Sequence, residues 1–319
     1  MTHNLPSDHI YVASCVEDGG IYRYFLHDDG KLELAEKAEL DRPMYMTVEN
    51  DKMYIVLRAP FEGRSDSGVI VCDIVDGKLV NFGEITSTKG EVACHIAVDN
   101  EKIYCANYIS GSVIKLPDIL KEHSGHGKNP KRQEKAHAHY VGFTPDKKYL
   151  CAVDLGVDTI FVYDKDMNPV SSAKVPEGHG ARHIVFSDDG KYMFCAGELE
   201  SSVSAFEYND GKFSLIDTIC VLPKDFSGES TAAAIRIYKG KIYVSNRGHD
   251  SVSQISFENR KLTLEKTIDC KGKSPRDFDF INDFMICTNE SSDNVTVFAC
   301  NDNFKFVCEV SVAKPLCVV

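Results

Sequence analysis

One short pattern recurs along this chain, and it limits the possible folds more than any other feature. Its clearest copies are Cys105–Val113 (CANYISGSV), Cys195–Val203 (CAGELESSV), Val244–Val252 (VSNRGHDSV) and Cys287–Val295 (CTNESSDNV), and weaker copies end at Ile21, Val69 and Ile160. The seven final residues are 48, 44, 47, 43, 49 and 43 positions apart. A period of roughly 40 to 50 residues, made of strands and turns, is typical of propeller blades. The sequence therefore predicts an all-β fold, a seven-bladed β-propeller with four-stranded blades.

Each repeat contains four apolar runs separated by turn residues, which is the pattern of four short strands. From Ala181 the runs are ARHIVF, KYMFCAG, SSVSAFEY and KFSLIDTI, and Asp210-Gly211 supplies a hairpin turn between the last two. The chain opens with a second strand and closes with a first strand. We therefore expect residues 315–319 to pair beside residues 9–13 and to close the ring, which removes exposed sheet edges. Residues 1–319 are predicted to form one domain.

Two segments exceed the repeat. Residues 118–136 are expected to replace an outer strand with a polar, basic loop, and residues 222–230 form a second loop. Both are interpreted as surface excursions, although a loop of such length also roofs a site in some proteins. His123 and His126 lie in the first loop and are interpreted as incidental.

The composition argues against several classes of protein. The formal net charge of −12 and the pI of about 5.4 disfavour nucleic acid and anionic membranes as partners. The absence of Trp disfavours the WD40 type of propeller. The first residues, MTHNLPSDHIYVAS, do not resemble a secretory signal, and no apolar run approaches the ~18 residues of a membrane span.

The twelve cysteines favour a reducing compartment. Most of them lie inside apolar strand patterns, where a free thiol packs as a small hydrophobe. With no export signal, buried reduced thiols in the cytoplasm are the better interpretation. The chain has no CxxC motif, so no zinc is expected.

Aligning the repeats on their first strands gives one ring of equivalent positions. The positions are Met44, Cys94, His139, Arg182, Ala233, Arg276 and Leu316. First strands line the central channel of a propeller. A cation that faces this channel must be solvated, paired or bound to a ligand, because burying it alone costs several kcal/mol. We therefore expect the two arginines of this ring to bind an anion.

The ends of the second strands give another ring. It contains Asn107, Asp154, Gly197, Asn246 and Asn289, followed by Tyr108, Leu155, Glu198, Arg247 and Glu290. First and second strands are antiparallel neighbours, so the start of one lies beside the end of the other. This register places His139, Arg182, Arg276, Glu198 and Arg247 at one mouth of the channel.

Each of these signals also has a purely structural interpretation. Asn and Asp after a strand often form turns, and Glu198 with Arg247 would also suit a structural ion pair. His137 and His139 project to one face of a strand. Two such histidines suit metal binding, but no third ligand is evident nearby, so a catalytic, hydrogen-bonding or packing role is favoured and no metal is expected.

The chain contains no nucleophile elbow, P-loop or Rossmann fingerprint. If the protein is an enzyme, water is therefore the expected nucleophile. Arginines suit bidentate recognition of phosphate or carboxylate and stabilisation of an oxyanion, and a His or Glu suits a general base. The constellation favours hydrolysis of an anionic ester or lactone.

Five segments resemble the lactonase-type seven-bladed propellers, the 6-phosphogluconolactonase family that also contains carboxymuconate-cyclising enzymes. They are HAHYVGFTPDKKYLCAVDLGVDTIFVYD, GHGARHIVFSDDGKYMFCAGELESSVSAF, IYVSNRGHDSVSQISF, SPRDFDF and CTNESSDNVTVF. The similarity covers nearly the whole chain from about residue 9, and Ala181 stands where the family usually has proline. The resemblance implies hydrolysis of 6-phospho-D-glucono-1,5-lactone to 6-phosphogluconate, in the pentose phosphate pathway and without a cofactor.

The resemblance also implies catalytic roles for four individual residues. The predicted catalytic residues are His139, Arg182, Glu198 and Arg247, with either His139 or Glu198 as the base. The predicted substrate contacts are Arg276, His137, His183, Asn107, Asp154, Asn246 and Asn289. Two alternatives are a hydrolase or cycloisomerase for another anionic lactone, such as a carboxymuconolactone, and a propeller that binds without catalysis.

Overall fold

Seven antiparallel sheets form a ring in the computed structural model, which describes residues 8–60 and 63–319. The predicted seven-bladed propeller with four-stranded blades is confirmed. The described residues contain one 3-10 helix, Cys300–Asp302, and none of their helices is long and apolar enough to cross a membrane. The prediction of one domain over residues 1–319, and the interpretation of the first residues as lacking a signal, include residues 1–7, which lie outside the described residues.

The strands follow one another from the inside of each blade outwards, except in blade 1. Blade 1 contains β1 (His9–Ser14), β2 (Gly20–Leu26) and β3 (Leu32–Glu39). Blade 2 contains β4 (Pro43–Glu49), β5 (Lys52–Leu57), β6 (Gly68–Val75) and β7 (Lys78–Val80), with β8 (Thr86–Ser87) also paired to β6. Blade 3 contains β9 (Ala93–Asp99), β10 (Lys102–Asn107), β11 (Ser112–Lys115) and β12 (Ile119–Glu122). Blade 4 contains β13 (Ala138–Phe143), β14 (Tyr149–Asp154), β15 (Thr159–Asp164) and β16 (Pro169–Lys174).

The last three blades repeat the same order. Blade 5 contains β17 (Ala181–Phe186), β18 (Tyr192–Gly197), β19 (Ser202–Asn209) and β20 (Lys212–Cys220). Blade 6 contains β21 (Thr231–Tyr238), β22 (Lys241–Arg247), β23 (Ser251–Glu258) and β24 (Lys261–Asp269). Blade 7 contains β25 (Pro275–Ile281), β26 (Phe284–Asn289), β27 (Asn294–Ala299) and β28 (Lys305–Ser311), and β29 (Pro315–Val318) returns to blade 1.

The ring closes through β29, the inner strand of blade 1. It runs antiparallel to β1, with Val318 opposite Val12 and Cys317 opposite Ala13. Beyond the end of β29, the backbones of Val319 and Tyr11 exchange two hydrogen bonds, of 2.8 and 3.0 Å. The predicted closure is therefore confirmed, and blade 1 is held together by strands from both ends of the sequence.

The core consists of seven apolar clusters, one between each pair of neighbouring blades. Strand β1 shows how one strand supplies two of them. Tyr11 and Ala13 pack towards blade 2, whereas Ile10 and Val12 pack towards blade 7. This alternation follows from the two-residue period of a strand. It explains why the second strands read as continuous apolar runs, since both of their faces are buried.

Each inner strand is irregular at its first residues. In blade 4, Ala138 faces Asp154 and Tyr140 faces Val153, so the ladder skips His139. The residues skipped at the corresponding place in blades 1 to 7 include Leu316, Met44, Cys94, His139, Arg182, Ala233 and Arg276. These are the seven positions of the inner ring in the repeat alignment. A β-bulge turns a side chain out of the regular pleat, so each blade presents one such side chain at the same end of the channel.

The prediction that residues 118–136 replace an outer strand is wrong. Residues Ile119–Glu122 form β12, the outer strand of blade 3, and pair with β11. The physical reason is that Leu120 packs against the cluster between blades 2 and 3, which fixes a short strand despite its polar surroundings. The irregular segment therefore begins at His123 and ends at His137. The loop predicted at residues 222–230 is present.

Candidate active site

A cavity of about 310 Å³ opens at the end of the channel where the bulges lie. Its lining comes from inner-strand starts, from second-strand ends and from the segment before β13. The lining residues are Met44, Arg58, Val92, Cys94, Tyr108, Ile109, Arg132, His139, Glu198, Thr231, Arg247 and Arg276. His139, Glu198, Arg247 and Arg276, four of the residues placed at this mouth by register, thus share one cavity, and the fifth, Arg182, is bonded to Glu198.

Glu198 is the centre of the charged cluster. Its side chain is about 3% exposed, and three guanidinium groups converge on it. Arg132 Nη2 lies 2.6 Å from Oε1, while Arg182 Nε and Arg247 Nη2 lie 2.9 and 3.1 Å from Oε2. The three arginines come from different places: the segment before blade 4, blade 5 and blade 6. One carboxylate therefore ties three parts of the ring together.

Local backbone geometry fixes the position of this carboxylate. The Glu198 N–H donates to the carbonyl of Gly180, and its own carbonyl accepts from Ala232 N–H of blade 6. Gly180 has φ +68°, and a Cβ there would lie 2.6 Å from the Leu199 side chain. Glycine is therefore required just before the bulge that carries Arg182.

The electrostatic surroundings decide the protonation state of Glu198. Burial would raise its pKa, but the charges of Arg247 and Arg182, with smaller contributions from His139 and Arg132, hold the pKa well below its usual range. The carboxylate is therefore ionised at neutral pH and is a weak base. Of the two candidate bases predicted from the sequence, Glu198 is the less suitable, because its oxygens are already held by three guanidinium groups.

His139 differs from Glu198 in its charge. Burial, and then the charge of Arg182, lower its pKa well below 6.5, so the imidazole is neutral at pH 7 and has a free lone pair, although the low pKa makes it a weak base as well. Its Nε2 lies 4.0 Å from Glu198 Oε2, and its Nδ1 lies 3.9 Å from Cys94 Sγ. The Cys94 thiol itself is a poor nucleophile, because burial raises its pKa to about 12.

Two arginines at this site retain donors without partners. Arg182 Nη1 and Arg247 Nε are buried and make no hydrogen bond within residues 8–60 and 63–319. Burial, followed by repulsion from Arg247, lowers the pKa of Arg182 to about 10, so it remains a cation at neutral pH. An unsatisfied buried donor is costly, so both guanidinium groups are suited to an additional anionic partner.

Sequence reasoning missed two arginines of the cavity, Arg58 and Arg132. Arg132 lies outside the repeat, in the irregular segment, and also donates to the Tyr108 hydroxyl at 3.2 Å. The repeat alignment contains no position that corresponds to Arg132. Arg58 directly follows β5, at the place in blade 2 that Glu198 occupies in blade 5. Extending the second-strand ring to the weakly matching blade 2 would have found it.

The four Asn and Asp residues predicted to contact substrate do not line the cavity. They are fully buried and hold the turns that follow the second strands. Asn107 donates to the Thr88 carbonyl and Ser112, and the other three, Asp154, Asn246 and Asn289, bond to neighbouring turn and strand residues. The structure thus places these four side chains inside the blades, away from the cavity lining.

The two remaining predicted contacts, His137 and His183, also lie off the cavity lining. His137 stacks on Tyr108, with ring centres 4.6 Å apart, and bonds to the Tyr108 carbonyl and Glu134. His183 lies deeper in the channel, 5.0 Å from the ring of His95. Neither side chain lines the cavity, but His137 contacts Tyr108 and His183 contacts His139, both of which do.

His123 has a structural role that the sequence did not indicate. His123, interpreted as incidental, is buried and joins Asp154 Oδ2 at 2.7 Å and the Tyr163 hydroxyl at 3.1 Å. It thus ties the end of blade 3 to blade 4. The described residues contain no group of three or more His, Cys, Asp or Glu side chains placed to hold a metal ion.

Comparison with known proteins identifies the family. Residues 9–319 match the family described as "Lactonase, 7-bladed beta-propeller", and the chain belongs to it. An uncharacterized protein of Lactococcus lactis subsp. cremoris (strain MG1363) is 35% identical over 311 residues, with 89% of each chain covered.

Two solved structures show the same fold over almost their full length. A protein from Lactobacillus plantarum is 29% identical, with a TM-score of 0.89 and 98% of each chain covered. The Pseudomonas aeruginosa periplasmic gluconolactonase PpgL is 24% identical, with a TM-score of 0.87 and 98% of each chain covered. At 24% identity, the similarity to PpgL shows a shared fold and nothing further.

Proposed function

We propose that this protein is a lactonase that hydrolyses 6-phospho-D-glucono-1,5-lactone to 6-phosphogluconate, a step of the pentose phosphate pathway. Family membership supports a lactone substrate. One observation favours an anionic lactone, namely the excess of positive charge around one small cavity. Five arginines and two glutamates lie in or beside its lining, which leaves three unbalanced positive charges: Arg58, Arg132, Arg182, Arg247 and Arg276 against Glu198 and Glu290. Such a site attracts a phosphorylated substrate and the oxyanion formed from it.

In the proposed mechanism, a water molecule attacks the lactone carbonyl carbon. Neutral His139 takes the proton that the water loses as the new C–O bond forms. Arg182 and Arg247 stabilise the negative charge on the carbonyl oxygen through their unpartnered donors. When the tetrahedral intermediate collapses, the bond to the ring oxygen breaks, and the protonated His139 returns its proton to that oxygen. The product is the open-chain carboxylic acid, which then releases its proton to solvent and becomes the carboxylate.

Glu198 has a positioning role in this mechanism. Its pKa is held well below the usual range, so it keeps its charge while Arg132, Arg182 and Arg247 are fixed around it. Because these charges are already in place, they need no rearrangement during the reaction. Such preorganisation is the main source of electrostatic stabilisation in enzymes. Tyr108 supports the arrangement through Arg132.

The decisive experiment is a hydrolysis assay with 6-phosphogluconolactone, corrected for spontaneous ring opening. We expect Arg182→Ala to lower kcat/KM roughly 100-fold or more, since removal of one oxyanion donor costs about that much. His139→Ala should lose roughly 10²–10⁴-fold. Arg260→Ala is a matched control, because Arg260 is an exposed arginine paired with Glu207 on an outer hairpin. Equal rates in wild type and Arg182→Ala would contradict the mechanism.

The same arginines suit a carboxylate, so a carboxylated lactone is the second candidate substrate, and the assay includes it. A rate unaffected by a metal chelator is expected, because the mechanism uses no metal. The proposal also places the protein, as a single propeller domain, in the cytoplasm. The twelve cysteines are all free and most are buried, which suits a reducing compartment, and cell fractionation tests this.

A further inference from the structure

Arg58 differs from every other arginine at the cavity. Arg132, Arg182 and Arg247 share Glu198, and Arg276 Nη1 lies 3.1 Å from Glu290. The Arg58 guanidinium has no hydrogen bond or ion pair with any residue in the described ranges, 8–60 and 63–319. It is partly exposed, so water satisfies its donors in the free protein.

Arg58 also lies on the opposite side of the mouth from the Glu198 cluster. It follows β5 in blade 2, whereas Glu198 and Arg247 belong to blades 5 and 6. In a ring of seven, blades 5 and 6 are the two farthest from blade 2. The cavity therefore has a paired arginine cluster at one side and one unpaired arginine at the other.

We propose that Arg58 binds the phosphate group of the substrate. The inference rests on the proposed function, in which the lactone carbonyl lies beside Arg182, Arg247 and His139. The far end of a bound sugar phosphate then points across the mouth towards blade 2. A guanidinium offers two parallel donors to a phosphate, and it exchanges only water for the ligand.

The paired arginines are less suitable for this task. If Arg132 turned from Glu198 to a phosphate, a buried carboxylate would lose one of its partners, and breaking such pairs is costly. Arg276 would likewise have to leave Glu290. Arg58 breaks no protein contact when it binds an anion, so it supplies affinity for the phosphate at the lowest cost to the protein.

The test compares 6-phosphogluconolactone with unphosphorylated glucono-1,5-lactone in wild type, Arg58→Ala and Arg58→Lys. A charge-assisted contact contributes roughly 10- to 100-fold in affinity. We expect Arg58→Ala to raise KM for the phosphorylated lactone by that factor, with little change in kcat and a much smaller change in kcat/KM for the unphosphorylated lactone. Arg58→Lys should restore part of the loss. Equal losses on both substrates, or no loss on either, would overturn the proposal.

Lys89→Gln is the charge-matched control. Lys89 lies in the turn before β9, is exposed and pairs with Asp118 outside the cavity lining. Its removal should leave the preference for the phosphorylated lactone intact. If Lys89→Gln raised KM as much as Arg58→Ala does, the effect of Arg58 would come from its charge alone and not from contact with the phosphate, and the proposal would be overturned.

A binding measurement separates this proposal from the proposed function. If the wild type hydrolyses neither lactone, the proposed function fails, but the anion site is still testable with inorganic phosphate and calorimetry. Phosphate binding that weakens roughly 10- to 100-fold in Arg58→Ala supports the site. Equal binding by wild type and Arg58→Ala overturns it.

Discussion

At the scale of single residues, Glu198 is the residue on which most of the site depends. We expect Glu198→Gln to lower the free energy of unfolding by roughly 3–5 kcal/mol, because it leaves three clustered arginines without their shared counter-ion. Denaturant unfolding measures this. Glu290→Gln is the matched control: its pair with Arg276 is partly exposed and should contribute roughly 1 kcal/mol or less. Equal losses in both variants would contradict the central role of Glu198.

Most of the cavity residues were predictable from repeat register, and the failures have physical causes. The register located His139, Arg182, Glu198, Arg247 and Arg276, because antiparallel neighbours bring strand starts and strand ends together. It could not show that the turn residues Asn107, Asp154, Asn246 and Asn289 would use their polar atoms inside the blade. Turn geometry and ligand binding require the same residue types, so only coordinates distinguish them.

At the scale of elements, the segment between β12 and β13 is an arm that is anchored at two places. His123 fastens one end to Asp154 of blade 4. Near the other end, the buried Gln133 side chain donates to the Leu155 carbonyl and accepts from Asn129 N–H. Arg132 is therefore held at the mouth by its neighbour. The sequence could not reveal this arm, because a polar, basic composition is equally typical of a loose surface loop.

The arm provides a prediction. Gln133→Ala removes both anchoring contacts, so we expect a loss of roughly 1–3 kcal/mol in the free energy of unfolding. Catalytic turnover should also fall, because Arg132 no longer holds Glu198 in one place. Kinetic assays and thermal unfolding measure the two effects. Lys131→Ala, an exposed change in the same segment, should affect neither. A full rate in Gln133→Ala would show that Arg132 does not depend on the arm.

At the scale of the whole molecule, ring closure depends on β29. Deleting residues 315–319 removes four buried side chains, Pro315, Leu316, Cys317 and Val318, and uncovers an edge of β1. At roughly 1.5–3 kcal/mol for each large apolar side chain, the loss should reach about 5 kcal/mol. We expect a marked fall in melting temperature, with Lys314→Ala as the control beside the strand. An unchanged melting temperature would mean that the ring does not need this closure.

The buried histidines of the channel give the molecule a predictable response to acid. Burial, with nearby arginine charges, holds the pKa of His95, His139 and His183 well below 6.5 in the folded protein. As the pH falls below about 6.5, the unfolded chain gains protons that the folded protein does not. Stability should therefore fall between pH 6.5 and 5, by up to roughly 4 kcal/mol per pH unit for three such groups.

Chemical unfolding at several pH values measures this slope. His95→Phe keeps an aromatic ring between Tyr45 and Tyr140 but removes one titrating group, so it should reduce the slope by about a third. A slope that is the same in His95→Phe and wild type would show that His95 is not buried in its neutral form.

The seven bulged residues have a consequence for how such rings diversify. Each skipped residue stands outside the hydrogen-bonded ladder of its blade, so its side chain is exchangeable without re-pairing any strand. One of these positions, Met44, lines the cavity and carries no charge. A library randomised at Met44 would vary the substrates accepted while the charged cluster stays unchanged. Specificity in such a ring can therefore change at one bulge without any change in strand pairing.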